Sequence, residues 1–157
     1  AHAIMIAFEG IPAIYFNSLF GTSNDDYKYI ISGNKRDLNR YKWNKDRLEN
    51  LLKNKNSKQS IFYQKIINLI YIKKQNKAFH PNAKMESLNM GKKIFCFKRT
   101  SLDKKQIIYN VTNLSSKHQK FNFNSRFKKY RNLLSKMEIN SKFVLKPYET
   151  LWLSNYD

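Results

Sequence analysis

The sequence predicts an α/β segment followed by an all-β module. Apolar residues fall at helical spacing in residues 61–78, whereas from about residue 82 onward they alternate with polar ones. At the start of the chain, an apolar helix end leads into a strand that is hydrophobic on both faces, as in α/β proteins. A chain of 157 residues is long enough to bury a core of this kind.

The apolar start of the chain is predicted as a buried helix end, AHAIMIAFEG, and a buried strand, IPAIYFN. Glu9, Gly10 and Pro12 interrupt the apolar run, and no positively charged region precedes it. A membrane span needs an uninterrupted apolar stretch, and a signal peptide needs a basic start. We therefore expect neither here.

A long polar loop is predicted from Gly21 to about Ser60, with a short helical piece around Lys45 to Leu52. Loops of this length inside a compact domain are usually functional or disordered. Its stretch SGNKRDLNRYKW brings arginines, a carboxylate and amides close together. Such a density of fixed polar groups indicates mutual hydrogen bonding or a polar ligand.

The second half of the chain is predicted as one helix and an antiparallel β-sandwich. The helix covers residues 61–78 and stops at FHP, where His80 is expected to cap it. KIFCFKRTS, KQIIYNVTN, KFNFN and FVLKPYETLWLS are strand candidates separated by DK, SSK and KP turns. The single cysteine, Cys96, is expected to fill the core, and a reducing, cytoplasmic setting fits best.

The chain is strongly basic, with 30 Lys and Arg against 11 Asp and Glu. Such an excess favours nucleic acid or an anionic membrane as a partner. Here the lysines are scattered among Asn and Ile, and the densest runs, KNKNSK and KKYR, contain no nucleic-acid-binding signature. We therefore expect no nucleic acid and no membrane as partner. His2, His80 and His118 are too scattered for a metal site, so no metal is expected.

Four segments carry a resemblance to a known family. They are GIPAIYFNSLFGTSND at 10–25, GNKRDLNR at 33–40, AFHP at 78–81 and PYETLWL at 147–153. In this order and spacing they resemble the C-terminal third of a sugar phosphorylase of the α-amylase family, in the branch of sucrose phosphorylase and glucosylglycerate phosphorylase. GIPAIY alone occurs in most of that family, whereas the combination with SLFGTSND and RDLNR is more specific.

The resemblance implies a fold in two domains. Residues 1–80 would be the C-terminal portion of a catalytic TIM-type (β/α)8 barrel, with the end of helix 7, strand 8 at 11–18, the long loop, and helix 8 at 61–78. Residues 81–157 would be a C-terminal antiparallel β-sandwich domain. The loop after strand 8 would open at the C-terminal face of the barrel, where active sites of this fold lie.

The implied chemistry is retaining glucosyl transfer to phosphate. A carboxylate attacks the anomeric carbon, a glutamic acid protonates the leaving group, and phosphate takes the glucosyl group from the covalent intermediate. The three acidic residues of the family would all lie before Ala1, so no catalytic residue is assigned in this chain, and the chain alone is expected to be inactive. The partners implied are a sugar, inorganic phosphate as co-substrate and the N-terminal part of the barrel, with no cofactor.

The resemblance places Arg36 at the acceptor and phosphate side of the pocket, where a guanidinium fork suits a phosphate dianion. Arg40 would lie one turn further out and pair with Asp37 or Asp25. Substrate and phosphate binding is thus assigned to Arg36, Arg40 and Asp37, and ordering of the loop to Asn24, Asp25 and Asn39. Tyr41 and Trp43 are expected to pack the loop in preference to stacking on a sugar.

Two other interpretations stay open. One keeps the family but makes the protein an amylase-type hydrolase or transglucosidase. The other is a free-standing, basic, β-rich module that binds nucleic acid or an acidic partner. An incomplete barrel predicts exposed apolar side chains at Ile4, Ile6, Ile11, Ile14 and Phe16, whereas a free-standing module predicts that they are covered.

Overall fold

The computed structural model describes residues 1–123 and 129–155. These residues group into two units, Ala1–Pro12 with Leu69–Asp157, and Ala13–Asn68. The predicted boundary between residues 80 and 81 stays a prediction, and residues 124–128 and 156–157 of the predicted C-terminal domain lie outside the described residues. No helix of the described ranges is long and apolar enough to span a bilayer.

The first unit is built on an antiparallel sheet of six strands in the order β1-β2-β3-β8-β5-β6, beside a separate pair, β4-β7. The strands are β1 Lys84–Asn89, β2 Ile94–Thr100, β3 Ile107–Asn113, β4 Gln119–Asn122, β5 Lys129–Asn132, β6 Glu138–Asn140, β7 Lys142–Leu145 and β8 Thr150–Ser154. Every pairing is antiparallel. The prediction of an antiparallel, sheet-rich module in the second half of the chain is therefore confirmed.

The core of this module is formed where both sheets contribute apolar side chains. Its buried members are Cys96, Tyr109, Val111, Phe121, Phe123, Tyr130, Leu145, Leu151 and Leu153. Cys96 is 1% exposed, and burial raises the pKa of its thiol to about 12. A thiol held protonated in this way is a poor nucleophile, in keeping with its predicted place in the core.

Three strands were not predicted from the sequence, namely β1, β5 and β6. β1 and β6 are the two edges of the six-stranded sheet. An edge strand meets the core less completely than a central one, so its sequence carries a weaker apolar alternation. β5 reads KYRN, with two cations in four residues, and only its alternate residues Tyr130 and Asn132 are buried.

α1 at His2–Ala7 belongs to the first unit, and so does the C-terminal part of α5, which spans Lys58–Gln75. A 3-10 turn at Lys77–Phe79 follows α5. The helix predicted at 61–78 is thus present but shifted three residues toward the N-terminus. Asn76 ends it, because its side-chain amide donates to the carbonyl of Ile72 at 2.7 Å. His80 is the C-cap of the 3-10 turn that follows, since its N–H donates to the carbonyl of Lys77 at 3.1 Å, and its Nδ1 accepts the N–H of Asn82 at 3.2 Å.

The residues after α1 are held by two cations of the first unit. Arg99 on β2 is fully buried and donates to the carbonyls of Ala7 at 2.8 Å, His80 at 2.7 Å and Ala83 at 2.9 Å. Lys73 on α5 donates to the carbonyls of Ile6, Phe8 and Gly10 at 2.8, 3.2 and 3.4 Å. Burial lowers the pKa of Lys73 to about 8, and the nearby charge of Arg99 acts in the same direction.

The second unit contains short helices joined by loops. They are α2 at Phe16–Leu19, α3 at Asp26–Ser32, a 3-10 helix at Lys35–Asn39, and α4 at Lys45–Lys53. The predicted helical piece around Lys45 is therefore confirmed. α3 was missed because the DD and SG flanks were interpreted as turns, although Asp25 and Gly33 are in fact its N-cap and C-cap.

The strand predicted at residues 11–18 is not formed in this structure. Residues 11–15 have no regular secondary structure, and Phe16 begins α2. A strand is defined by hydrogen bonds to a neighbour, and none of the eight described strands pairs with these residues. The apolar pattern is real, but the partner that would turn it into a strand is not among the described residues.

The apolar side chains predicted to be exposed differ among themselves. Ile11 is 84% exposed and Phe16 is 55% exposed, whereas Ile4 and Ile14 are half-buried. Ile6 is fully buried, so that part of the prediction is wrong. The reason is that α1 packs within the first unit, where the indole of Trp152 donates to the carbonyl of Ala3 at 3.2 Å.

Candidate functional site in the loop of the second unit

The segment that carries the predicted site residues begins at the C-terminal end of α3. Gly33 ends this helix in the left-handed conformation, with φ of 63°, which a residue with a Cβ adopts only with strain. Asn34 then caps the next element, because its side-chain oxygen accepts the N–H of Arg36 at 3.0 Å. Arg36 is thereby fixed in the first turn of the 3-10 helix Lys35–Asn39.

Arg36 and Arg40 line the same open pocket of about 390 Å³. Its other lining residues in the described part of the chain are Tyr15, Lys35 and Asn39, so no described carboxylate lines this pocket. Both arginines are exposed, and among the described residues neither guanidinium has an ion-pair partner. The structure thus brings the two predicted arginines together and leaves their forks free to bind an anion.

Asp37 lies beside this pocket but is paired elsewhere. Its carboxylate contacts the ammonium of Lys28 at 3.0 Å. The hydrogen bond from Lys28 lowers the pKa of Asp37, and one from Ser32 adds to it. The predicted pairing of Arg40 with Asp37 or Asp25 is not found among the ion pairs of the described residues, and α3 places Lys28 beside Asp37 instead.

The three residues assigned to loop ordering lie at different positions in the second unit and make different contacts. Asp25 caps α3 through the N–H of Lys28 at 3.1 Å, and its own N–H donates to the carbonyl of Leu38 at 2.7 Å. The side chain of Asn39 lines the pocket of the two arginines. Asn24 is exposed at a second, smaller pocket of about 250 Å³, and no side-chain hydrogen bond of Asn24 is found in the described ranges.

Asn17 is an ordering residue that the sequence analysis missed. It is buried, and its amide donates to the carbonyls of Asn39 at 3.3 Å and Tyr41 at 2.9 Å. It therefore fixes the chain directly after the arginines. The only sequence signal was a single amide inside the apolar run YFNSLF, which is also compatible with an exposed residue.

Tyr41 and Trp43 pack against each other. Their rings meet edge to face with centroids 4.9 Å apart, and the indole of Trp43 donates to the hydroxyl of Thr22 at 3.0 Å. This agrees with the predicted packing role. Both also line the smaller pocket beside Arg47 and Asn24.

The chemistry available at this loop is anion binding. Free guanidinium groups beside an open pocket form strong, bidentate contacts with phosphate or carboxylate. Neither nearby carboxylate is free for nucleophilic or acid catalysis, because Asp25 caps a helix and Asp37 is paired with Lys28. In the described part of the chain, no group of three His, Cys, Asp or Glu side chains could hold a metal ion.

Comparison with curated proteins finds glucosylglycerate phosphorylases. The chain is 25% identical over 154 residues to that of Escherichia coli (strain K12), a match that covers 98% of the chain and 27% of the relative. It is 36% identical over 83 residues to that of Allomeiothermus silvanus, covering 53% of the chain and 15% of the relative. It is 25% identical over 171 residues to that of Spirochaeta thermophila, a match that covers 99% of the chain and 29% of the relative. The chain thus spans less than a third of each relative, and no family model matches it.

Comparison with solved structures finds the α-amylase fold. A trehalulose synthase MutB mutant aligns with a TM-score of 0.68 at 14% identity, covering 98% of the chain and 37% of that structure. The maltogenic amylase from S. marinus aligns with a TM-score of 0.64 at 19% identity, covering 98% and 18%. At these sequence identities, the matches are evidence for the fold alone. Together with the relatives, they confirm the resemblance to the C-terminal part of a sugar phosphorylase of the α-amylase family.

Proposed function

We propose that the chain is the C-terminal part of an α-glucosyl phosphorylase, which transfers a glucosyl group with retention from a glucosyl donor to inorganic phosphate. The observation that carries this proposal is the match of 98% and 99% of the chain to relatives named glucosylglycerate phosphorylase. Their name favours glucosylglycerate over sucrose or another glucosyl-polyol as the donor. The role belongs to carbohydrate metabolism.

In this proposal, residues 1–80 complete a catalytic (β/α)8 barrel. The apolar run at 11–18 would form its last strand when the neighbouring strands of the barrel lie beside it, which gives a reason for its apolar sequence and its exposed Ile11. The 3-10 segment Lys35–Asn39 would then lie at the C-terminal face, at the mouth of the sugar pocket.

The covalent step needs two carboxyl groups that we assign to other parts of the polypeptide. A carboxylate oxygen attacks the anomeric carbon while an acid protonates the departing glycerate oxygen, and the C–O bond to glycerate breaks. A phosphate oxygen then attacks the same carbon, forms the new C–O bond and releases the carboxylate. This chain contributes positioning groups only, because the nearest carboxylates, Asp25 and Asp37, are already engaged.

Arg36 is the residue proposed to receive the phosphate, with Arg40 and Lys35 adding positive charge around it. A phosphate dianion must approach an intermediate surrounded by carboxylates, so a matching cation lowers the barrier to phosphorolysis. Water is neutral and has no comparable need. The phosphate group is held by the protein directly, and no further cofactor enters the proposal.

The test is the ratio of phosphorolysis to hydrolysis in the full polypeptide that carries this chain. Arg36→Ala is expected to lower phosphorolysis by roughly a hundredfold, about 3 kcal/mol of transition-state stabilisation, and to leave hydrolysis of the donor nearly unchanged. Arg36→Lys should recover little, because a point charge does not replace the fork. Arg47→Ala, an exposed arginine outside this pocket, is the matched control.

The same measurement separates the proposal from an amylase-type hydrolase or transglucosidase. A hydrolase would show no phosphate-dependent release of glycerate in the unchanged protein. An unchanged ratio in Arg36→Ala would overturn the assignment of the phosphate to this arginine while leaving the enzyme class standing.

A further inference from the structure

A second cationic pocket lies entirely within the first unit, separate from the loop of the two arginines. It has a volume of about 410 Å³ and an open mouth, and it is lined by residues of α5, the 3-10 turn, and the β2–β3 and β5–β6 hairpins. Volumes of this size are typical of sites for small organic ligands. Nothing in the proposed phosphorylase reaction uses it.

The charge of this pocket is strongly positive. Among the described residues, its lining contains the four cations Lys77, Lys105, Arg131 and Lys136 and a single carboxylate, Asp103. Asp103 is already committed, because the hydroxyl of Ser101 donates to it at 2.6 Å and Lys77 lies 3.5 Å away. Arg131 and Lys136 have no carboxylate partner among the described residues, so their charges are available to a ligand.

Both hairpins that supply these cations are held rigidly. In the β5–β6 hairpin, Lys136 has a positive φ of 62°, and its N–H donates to the carbonyl of Asn132 at 2.7 Å. The side chain of Asn132 further donates to the hydroxyl of Ser135 at 2.9 Å. A lysine held in the left-handed region costs free energy, and such positions concentrate where a side chain must be aimed.

The β2–β3 hairpin is fixed in the same manner. Lys104 has a φ of 57°, which turns the chain sharply before Lys105. The carboxylate of Asp103 accepts the N–H of Lys105 at 3.1 Å, and the hydroxyl of Ser101 accepts the N–H of Gln106 at 3.0 Å. Gln106 then joins this hairpin to the end of α5 through a 2.7 Å bond to the side chain of Asn76.

One wall of the pocket offers a flat apolar surface. Tyr71 on α5 is 61% exposed and lines the pocket with Ile72 and Leu133. An exposed tyrosine ring packs well against the C–H face of a sugar, and its hydroxyl remains free for hydrogen bonds. The lining therefore combines cations for an anionic group with a platform for a ring.

We propose that this pocket, lined by Arg131, Lys136, Lys105, Lys77 and Tyr71, binds a phosphorylated sugar. The phosphate group lies among the cations and the sugar ring lies against Tyr71. Charge-assisted bonds from Arg131 and Lys136 supply most of the affinity, so binding weakens as salt is added. The site is separate from the residues that we assign to phosphorolysis.

The test is titration of the full polypeptide with glucose 6-phosphate, which is neither donor nor product of the proposed reaction. Arg131→Gln and Lys136→Gln are each expected to raise its Kd about tenfold or more. Tyr71→Ala is expected to weaken glucose 6-phosphate but not inorganic phosphate. Lys74→Gln, an exposed lysine of the same helix outside the pocket, is the control and should change nothing.

Titration of the Arg36→Ala variant separates this pocket from the loop of the second unit. Unchanged binding of glucose 6-phosphate in that variant supports the proposal, even if the phosphorylase assignment fails. Three results would overturn it: no saturable binding, a Kd that Arg131→Gln and Lys136→Gln leave unchanged, or glucose or inorganic phosphate binding as tightly as the ester.

Discussion

Replacing Arg99 with methionine is expected to loosen the first unit markedly. The guanidinium is fully buried and its three hydrogen bonds hold the carbonyls of Ala7, His80 and Ala83. Methionine has a similar length but no donor, so the buried carbonyls of Ala7 and Ala83 lose this partner, whereas the carbonyl of His80 still accepts the N–H of Ala83 at 2.9 Å. Each buried carbonyl left unpaired costs about 1–3 kcal/mol, which sums to about 2–6 kcal/mol for the two.

Part of that cost is offset because methionine needs no desolvation of a charge. Burial lowers the pKa of Arg99, opposed by the carboxylate of Glu9, which shows that the cation is held at some expense. Replacing a buried ion with an apolar side chain recovers several kcal/mol when no partner charge is left behind. We therefore expect a net loss of about 2 kcal/mol in the stability of the first unit, a large share of a typical total of about 5–15 kcal/mol.

The assay is hydrogen exchange, read by mass spectrometry on peptides from β2 and β3. A loss of about 2 kcal/mol corresponds to roughly thirtyfold faster exchange of the protected amides. Arg131→Met, an exposed arginine of the same sheet, is the matched control for stability and should leave this exchange unchanged. If the amides of Arg99→Met exchange as slowly as those of the unchanged protein, the argument is refuted. The free energy lost with the hydrogen bonds would then be fully offset by the desolvation cost that the guanidinium no longer has.

Two further predictions concern pH and activity. Burial lowers the pKa of Lys73 from its ordinary value of 10.5 to about 8, so between these two pH values the folded state binds fewer protons than the unfolded state. The free energy of unfolding of the first unit should therefore rise from pH 8 towards pH 10.5. Lys73→Met should lack this rise, and the same dependence of the unfolding free energy on pH in both proteins would contradict the prediction. The 157-residue chain alone should release no glycerate from glucosylglycerate in the presence of phosphate, and phosphate-dependent release by the purified chain would show that the proposed division of catalytic groups is wrong.

The sequence predicted those parts of the fold whose structure follows from the pattern of residues within the segment itself. β3 and β8 alternate or run apolar and were found, as was the helix before Asn76. The strand at 11–18 was predicted on the same grounds, but none of the described strands pairs with these residues, so the apolar pattern alone did not decide their structure. β1 and β6, at the edges of the sheet, carried too little pattern to be recognised.

In the candidate site, too, the features set within one segment were predictable and those set by distant residues were not. That Arg36 and Arg40 share one pocket follows from their spacing around a short helical turn, which a local reading of the loop can anticipate. That Asp37 pairs with Lys28 could not be anticipated, because it depends on α3, a helix that was interpreted as a turn. The role of Asn17 depends on a contact 22 residues away in the chain, which no local pattern reports.

The pairing of Lys28 with Asp37 also has a consequence for kinetics. It neutralises the carboxylate that follows Arg36 in the sequence, and among the described residues the lining of the pocket of Arg36 and Arg40 holds cationic and neutral side chains only. A field of one sign raises the rate at which oppositely charged small molecules collide productively with a site, and salt reduces this gain. Capture of an anion at this loop is thus set in part by a lysine that never touches it, and Lys28→Met should slow association more than it hastens release.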